Sequence, residues 1–265
     1  MTASSTHRPK KHLGQHFLTD EAVIQRIVHA ISPNKAQHLV EIGPGLGALT
    51  KRLLPLVDEM DAVEFDKDVF PKLTQACQLL GTLHLHLDDA LQFNFSSLYQ
   101  NDQPLRVVGN LPYQISTPLL FHLIQYADII SDAHFMLQKE VVDRMAAEVG
   151  TKAYGRLSVM TQYHFHVESL FIVGREAFHP MPKVTSAVVR LIPKKINAPA
   201  KDYQQFSQIV KQAFNYRRKT LRNALKEIVG EEQIALAGLD PAVRPEELSV
   251  EAFVEISNLV SVDGH

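Results

Sequence analysis

Short apolar runs alternate with longer stretches of helical periodicity through most of the chain. Each apolar run ends at a turn residue or an acid, and the stretches between the runs place apolar side chains on one helical face. Strands separated by helices favour a mostly parallel sheet with right-handed crossovers, which is a doubly wound α/β fold. The predicted strands are 39–42, 62–65, 82–87, 105–109 and 133–137, followed by 167–173 and 187–192, which would close the sheet.

The first and last parts of the chain follow a different pattern. Thr19 is a candidate N-cap for a first helix, because Asp20 and Glu21 follow it and an apolar stripe comes next. A Lys- and Pro-containing linker is predicted at 193–199, and the pattern after it is helical only, with helices at 203–215, 218–229 and 250–260. We therefore expect a basic N-terminal arm at 1–18, an α/β domain at 19–193 and a small all-helical domain at 200–265.

Charge is unevenly distributed, although the formal net charge is only −2. Residues 175–222 contain eleven Lys or Arg and two Asp or Glu, a balance of +9, whereas 223–265 contain two and nine, a balance of −7. A concentrated basic segment is typical of phosphate binding, so nucleic acid is a candidate partner. The structural alternative is a basic helix end that pairs with the acidic tail. The basic residues around the second C-terminal helix are Arg217, Arg218, Lys219 and Arg222.

Composition excludes several classes of protein. A hydrophobic content of 45% and a charged content of 21% are ordinary for a globular chain. We expect no membrane span and no secretory signal, because the sequence lacks a long apolar run and an apolar core near its N-terminus. Cys77 is the single cysteine, so an internal disulfide is impossible and a cytoplasmic location fits. The histidines lack zinc-ligand spacing, so no metal is expected.

A glycine-rich turn follows the first predicted strand, from Glu41 to Gly47, with the spacing G-x-G-x-G. Glycines let the backbone approach a ligand closely, and the start of the next helix favours an anionic group. Glu64 ends the next strand 21 residues after Gly43, a spacing that suits a carboxylate holding ribose hydroxyls. Asp89 ends the third strand, where it could accept from an adenine amine. A dinucleotide site is the competing interpretation, but its G-x-G-x-x-G spacing is not present in this turn.

The fourth predicted strand runs into the turn Asn110-Leu111-Pro112-Tyr113. The Asn110 side-chain oxygen and the Leu111 carbonyl can accept from an exocyclic amine, and the Tyr113 ring offers a stacking face. Pro112 restricts its own φ and biases Leu111 towards extended geometry. Two acceptors would direct the amine lone pair at an electrophile, as adenine methylation requires. An ordinary turn is the alternative, but together with the glycine turn and the two acids this segment favours S-adenosylmethionine as cofactor.

These residues resemble the ribosomal RNA adenine dimethyltransferase family, and the likeness covers nearly the whole chain. It is closest to the branch that dimethylates two adjacent adenosines in a hairpin loop near the 3′ end of small-subunit rRNA. It implies an S-adenosylmethionine-dependent methyltransferase fold with a helical RNA-binding domain. The landmarks are 10–18, 41–47, Glu64, 89–90, 109–116, 136–142, 154–158, 178–189 and 214–223.

The resemblance also implies roles for individual residues. Asn110 and the Leu111 carbonyl would orient the target amine, Tyr113 would stack on the base, and Phe178 would form the other wall of the base pocket. Position 16 is usually Asn in the family, so His16 is a departure that affects a cofactor contact, and Gln114 stands where Asn is frequent. The implied substrate is a partly assembled small-subunit particle, and a monomer would suffice. The implied cofactor contacts are His16, Leu18, Gly43, Glu64, Asp89 and Asn110.

Several alternatives remain open from the sequence. Arg218 and Arg222 would lie one turn apart on the predicted helix and face one phosphate track, and the absence of an aromatic RNA-binding signature indicates recognition of a shaped RNA. A large-subunit rRNA methyltransferase of the macrolide-resistance type is disfavoured by the segments 178–183 and 214–223. A DNA adenine methyltransferase would have Asn-Pro-Pro-Tyr, which Leu111 contradicts. A non-catalytic assembly or transcription factor is disfavoured by the intact set of cofactor residues.

Overall fold

The computed structural model describes residues 16–216 and 218–260. Its contacts divide the chain into two compact units. The strands are β1 Phe17–Leu18, β2 His38–Ile42, β3 Glu59–Glu64, β4 Thr82–Leu87, β5 Leu105–Asn110, β6 Ile130–Gln138, β7 Phe165–Val173, β8 Phe178–His179 and β9 Ser186–Pro193. The α-helices are α1 Glu21–Ile31, α2 Thr50–Val57, α3 Phe70–Cys77, α4 Ser116–Ile124, α5 Lys139–Met145, α6 Arg156–His164, α7 Tyr203–Ala213, α8 Leu221–Leu225, α9 Glu231–Leu236 and α10 Val250–Val260.

The main sheet of the first unit has seven strands in the order β4-β3-β2-β5-β6-β9-β7. The pairs β2–β3, β3–β4, β2–β5 and β5–β6 are parallel, and β9 runs antiparallel to β6. Strands β2, β3 and β5 are almost entirely buried, as expected when helices cover both faces of a parallel sheet. The predicted doubly wound, mostly parallel α/β fold is therefore confirmed.

The direction of winding reverses beside β2. From β2 the chain winds outward through β3 and β4, then returns to place β5 on the other side of β2 and continues to β6. Ligands of doubly wound sheets bind outside the carboxyl ends of the strands at such a reversal. Glu64 lies at the end of β3 and Asn110 at the end of β5, so both reach this edge.

The N-cap of the first helix is Asp20, so the expectation that Thr19 caps it is wrong. The Asp20 Oδ1 accepts from the backbone N–H of Val23 over 3.1 Å. Thr19 is instead turned towards another part of the unit, where its Oγ1 donates to the carbonyl oxygen of Ala177 over 3.2 Å. A carboxylate at the N-cap also interacts favourably with the helix dipole, which favours Asp20 over the Thr19 hydroxyl.

A two-stranded ladder ties the start of the described chain to its later part. β1 pairs antiparallel with β8, with Phe17 opposite His179 and Leu18 opposite Phe178. The backbone N–H of Thr19 extends the connection by donating to the Ala177 carbonyl over 2.8 Å. These contacts attach residues at the end of the predicted N-terminal arm to the first unit.

The second unit is helical and includes residues 143–167 as well as those from 194 onward. The sequence analysis assigned 143–167 to the α/β domain. Aromatic packing explains the observed grouping, since Tyr163 lies 4.6 Å from Phe206 and Tyr154 lies 6.3 Å from Phe214 between ring centroids. The sequence analysis did not anticipate α6 or α9 as helices. No helix in the described ranges is both long and apolar enough to cross a membrane.

Candidate active site

The glycine turn between β2 and α2 has the backbone geometry that its residues require. Gly43, Gly45 and Gly47 have φ values of +65°, +53° and +78°, a region in which side chains with a Cβ are strained. A Cβ added to Gly47 would approach the Leu73 Cδ1 within 2.8 Å. The absence of a side chain at Gly47 therefore lets Leu73 of α3 pack against the turn.

Glu64 connects this turn to the end of β3. Its Oε2 accepts from the backbone N–H of Gly45 over 3.0 Å, and its Oε1 accepts from that of Asp66 over 2.8 Å. Burial raises the pKa of Glu64, and these backbone hydrogen bonds oppose the shift. Each carboxylate oxygen can accept a second hydrogen bond, so Glu64 can hold the turn and also receive ribose hydroxyls.

Two neighbouring cavities open at this edge and share Gly43, Glu64 and Pro112. The larger has a volume of about 460 Å³, within the range of roughly 300–1,000 Å³ typical of small-molecule sites. The predicted site residues that line it are His16, Leu18, Gly43, Glu64, Asn110, Leu111, Pro112, Tyr113 and Phe178.

The smaller cavity, of about 190 Å³, is lined mostly by apolar side chains, together with the polar residues Glu64, Asp88, Asp89 and Gln114. The Asp89 Oδ1 accepts from the backbone N–H of Leu91 over 2.9 Å, which orients the carboxylate at the strand end. Phe65, which the sequence analysis did not select, also lines this cavity and is 64% exposed. Its place directly after Glu64 was the available signal, because the residue that follows a candidate ligand-binding acid at a strand end lies at the same sheet edge.

Asn110 is held by the main chain of the segment before β1. Its Nδ2 donates to the carbonyl oxygen of His16 over 3.3 Å. Since that carbonyl can only accept, the amide nitrogen faces His16 and the Oδ1 remains on the other side of the group. The next residue is fixed too, because the Leu111 backbone N–H donates to the Met136 carbonyl over 3.2 Å.

Tyr113 is positioned by a buried serine. Its hydroxyl oxygen lies 2.8 Å from the Oγ of Ser186, a fully buried residue at the start of β9. Burial raises the pKa of Tyr113, and the Ser186 hydrogen bond opposes the shift. The His16 ring lies beside the Tyr113 ring, with centroids 5.7 Å apart and an interplanar angle of 31°. The sequence analysis missed Ser186, which lies 73 residues from its partner.

His16 and Phe178 reach the larger cavity through the β1–β8 ladder. The Nδ1 of His16 lies 2.7 Å from the Pro180 carbonyl oxygen, so this ring nitrogen forms a hydrogen bond within the protein. Phe178 is buried and lines the same cavity as Tyr113. The two predicted aromatic walls thus belong to one cavity.

Glu41 is a second buried acid of the larger cavity, and the sequence analysis gave it no role of its own. Its Oε2 accepts from the Thr50 hydroxyl over 2.6 Å. Burial raises its pKa to about 7, the Thr50 hydrogen bond opposes the shift, and the charge of Glu64 adds to it. An acid inside an otherwise buried strand was the sequence signal for this perturbed group.

The predicted RNA-binding residues belong to the helical unit. Arg218, Lys219 and Arg222 are exposed, and Arg217 lies outside the described residues. The Lys219 Nζ lies 3.9 Å from the centroid of the Tyr216 ring. The expectation that Arg218 and Arg222 share one helix is wrong, because α8 begins only at Leu221, after an extended Thr220.

Arg222 also has an acidic partner. Its Nη1 lies 3.3 Å from the Glu231 Oε1, and both side chains are about half exposed. This ion pair matches the structural alternative in which the basic helix end pairs with the acidic segment. It accounts for Arg222, while Arg218 and Lys219 contribute exposed positive charge.

The doubly wound sheet, the glycine turn with its acid, and the Asn-Leu-Pro-Tyr turn at the same edge define the class of S-adenosylmethionine-dependent methyltransferases. The family model for ribosomal RNA adenine dimethylase matches residues 6–261. The chain belongs to this family, and it is therefore an rRNA methyltransferase.

The chain matches curated relatives over nearly the whole length of both proteins. The chain is 51% identical to a ribosomal RNA small subunit methyltransferase A from Pseudomonas savastanoi, over 98% of both chains. It is 53% identical to the protein of the same name from Hydrogenovibrio crunogenus, over 97% of this chain and 98% of the relative. A solved dimethyladenosine transferase from Plasmodium falciparum superposes with a TM-score of 0.76 at 26% identity, covering 91% of this chain and 96% of that one.

Proposed function

We propose that this enzyme transfers methyl groups from S-adenosylmethionine to the exocyclic amines of two adjacent adenosines in a 3′-terminal hairpin loop of small-subunit rRNA. The products would be dimethyladenosines formed during ribosome biogenesis. The observation that carries the proposal is the fixed orientation of Asn110, whose amide nitrogen is bound by the His16 carbonyl. This leaves its Oδ1 as an acceptor in the cavity that Tyr113 and Phe178 also line. The names of the curated relatives support the small-subunit target.

The two adjoining cavities fit an extended cofactor with a nucleoside at one end. We place the adenosine in the smaller cavity, where Asp89 would accept from its amine and Phe65 would pack on the base. Glu64 lies in both cavities, so it would hold the ribose hydroxyls between the two ends. Gly43 would allow close approach, and His16, Leu18 and Asn110 would contact the part of the cofactor in the larger cavity.

Positioning accounts for the chemistry that this chain's residues would perform. When bound, the cofactor supplies an electrophilic methyl group on a sulfonium. The Asn110 Oδ1 and the Leu111 carbonyl would accept from the target amine and direct its lone pair, while Tyr113 and Phe178 hold the base. The amine is uncharged, so no general base is required before attack, and the proton can leave to water afterwards. The rate gain would come from orientation and preorganised acceptors.

The helical unit would bind RNA phosphates through Arg217, Arg218, Lys219 and Arg222. The exposed charge of Arg218, Lys219 and Arg222 supports phosphate binding, and the lack of an aromatic RNA-binding signature in the sequence favours a shaped RNA over a base sequence. We infer that the substrate is a pre-30S particle in the cytoplasm and that the enzyme works as a metal-free monomer.

The deciding experiment is transfer of labelled methyl from S-adenosylmethionine, followed by nucleoside mass analysis. The substrates would be small subunits, large subunits and duplex DNA that lack methylation at the relevant adenines. Dimethyladenosine formed only in small-subunit RNA is the expected result. Label in large subunits or DNA would reassign the target, and cofactor binding without transfer to any substrate would indicate a non-catalytic assembly factor.

A further inference from the structure

The segment 179–185, which we call the rim segment, is exposed at its tip and fixed on both sides to residues beside the proposed base pocket. On one side, the Pro180 carbonyl oxygen lies 2.7 Å from the His16 Nδ1. On the other, the Thr185 carbonyl accepts from the backbone N–H of Lys139 over 2.9 Å, and the next residue, Ser186, contacts the Tyr113 hydroxyl. The rim segment is therefore continuous with the wall of the larger cavity.

The tip of the rim segment combines apolar surface with positive charge. Met181 is 59% exposed and Val184 is 42% exposed, while Pro182 between them is buried and anchors the segment. Lys183 lies between these apolar residues and is exposed. The sequence contains no Asp or Glu from 177 to 201, so neighbouring acids in the chain do not offset this charge.

Such a surface suits a nucleotide, because a base presents an apolar face and its phosphate is negatively charged. The proposed substrate carries two adjacent target adenosines. While one base occupies the pocket, the covalently linked neighbour must lie just outside it. Charge complementarity and continuity with the pocket therefore favour RNA as the occupant of this surface.

We propose that the rim segment holds the nucleotide adjacent to the adenosine in the base pocket. Met181 and Val184 pack against its base, and Lys183 contacts a neighbouring phosphate. The inference rests on the proposed function, since it requires two adjacent adenosines in one RNA. The rim segment would then contribute to recognition of two adjacent adenosines, a role separate from the orientation of the reacting amine by Asn110 and Leu111.

The test is a kinetic comparison of the full-length enzyme with Met181→Ser/Val184→Ser on unmethylated small subunits. We expect the KM for the particle to rise roughly five- to tenfold, the loss expected when two half-exposed apolar contacts are removed. The affinity for S-adenosylmethionine should stay unchanged, because neither side chain lines the cofactor cavities. Leu79→Ser is the matched control, since Leu79 is 90% exposed in the same unit but lies outside the rim segment.

Lys183→Gln provides an independent measurement. It should reduce the slope of log affinity against log salt by about one, while Lys183→Arg restores it. A KM for the double variant equal to that of Leu79→Ser would overturn the proposal. If the double variant lost cofactor affinity through misfolding, an unchanged salt slope for Lys183→Gln would overturn it instead. If the unaltered enzyme formed no dimethyladenosine in small subunits, the proposed function would fail first and this inference with it.

Discussion

The Asn110 amide donates to the main-chain carbonyl of His16, a residue 94 positions earlier, over 3.3 Å. The contact uses the backbone of position 16, so it does not depend on which side chain stands there. The departure to His16 from the Asn that the resemblance implies therefore leaves the orientation of the amide unaltered. The side chain of His16 makes a separate contact with the Pro180 carbonyl.

Replacing Asn110 by Ala should therefore lower kcat by about 10²-fold or more, the scale of losing one preorganised polar contact at a reacting centre. His16→Ala should mainly weaken cofactor binding, because the position 16 carbonyl survives the change. Single-turnover kinetics with small subunits, together with equilibrium cofactor binding, separate the two effects. Full turnover by Asn110→Ala would show that this amide does not orient the amine.

Tyr113→Phe should lower stability more than it lowers activity. The change keeps the stacking ring but leaves the buried Ser186 hydroxyl without the Tyr113 partner, at a cost of about 1–3 kcal/mol. The double variant Tyr113→Phe/Ser186→Ala should recover much of that loss. Urea unfolding of the unaltered enzyme, Tyr113→Phe, Ser186→Ala and the double variant gives the coupling free energy. Simple additivity of the two single losses would mean that this hydrogen bond contributes little.

Tyr113→Ala should in contrast raise the KM for the particle, because it removes the stacking surface.

The stability of the cofactor-free enzyme should fall as pH rises from 4.5 to about 7 because of Glu41. Burial, with a smaller contribution from Glu64, raises the folded-state pKa of Glu41 to about 7 from an unfolded value of 4.5. In this window the folded state binds more protons than the unfolded state, so the contribution is fully present below 4.5 and lost above about 7. The total loss is about 3 kcal/mol.

Glu41→Gln keeps an acceptor for Thr50 and should remove this pH dependence. Urea unfolding across the window, with the exposed Glu255→Gln as a control, provides the comparison. Parallel pH profiles for Glu41→Gln and the unaltered enzyme would show that Glu41 does not titrate in this range.

Arg106 should be among the most sensitive positions for folding. It donates to both Asp132 oxygens over 2.7 and 2.9 Å and to the Ile31 carbonyl over 2.6 Å. All three hydrogen bonds are buried near the start of β5. Arg106→Met would remove both short hydrogen bonds to the buried Asp132 carboxylate and leave it the longer 3.4 Å contact with the Arg190 Nη2, at a cost of up to about 3–5 kcal/mol.

The matched control is Lys35→Met, which breaks the exposed ion pair with Asp58, 2.6 Å apart, and should cost at most about 1 kcal/mol. Denaturant unfolding compares the two variants. Similar losses for both would contradict the role assigned to burial.

Arg218→Ala and Lys219→Ala should each weaken RNA binding and lower its salt slope by about one. Both side chains are exposed in the helical unit. Arg244→Ala is a suitable control, because Arg244 lies outside the basic segment and its Nη1 is 3.9 Å from the Glu246 Oε1. Binding titrations over a range of salt concentrations give the slopes, and equal slopes for all variants would separate these residues from RNA contact.

The strands around the site were predictable because their sequences report burial directly. The prediction 82–87 matches β4 Thr82–Leu87, and 39–42 differs from β2 His38–Ile42 by one residue. Buried parallel strands have continuous apolar sequences. Because the carboxyl ends of parallel strands lie at one edge of the sheet, the acids and turn residues that follow them lie at that edge too. The residues of the glycine turn and of the Asn-Leu-Pro-Tyr turn could thus be assigned to one edge.

Contacts between distant segments were not predictable in the same way. The strands β1 and β8 have two residues each, too few for a periodic signal, and Ser186 meets Tyr113 only because β9 returns beside β6. α6 is buried at several successive positions, so it lacks the polar face that marks an amphipathic helix. These features depend on tertiary packing rather than on local pattern.

The β1–β8 ladder makes the larger cavity one of the features completed late during synthesis of the polypeptide. Phe178 and Leu18 pair across the ladder and both line that cavity. A nascent chain that ends before β8 already contains the glycine turn, Asn110 and Tyr113, yet it lacks Phe178 and the Pro180 carbonyl that contacts His16. Synthesis must pass β8 before the larger cavity can be completed, so a chain interrupted earlier would carry Glu64 and Asn110 in an incomplete cavity.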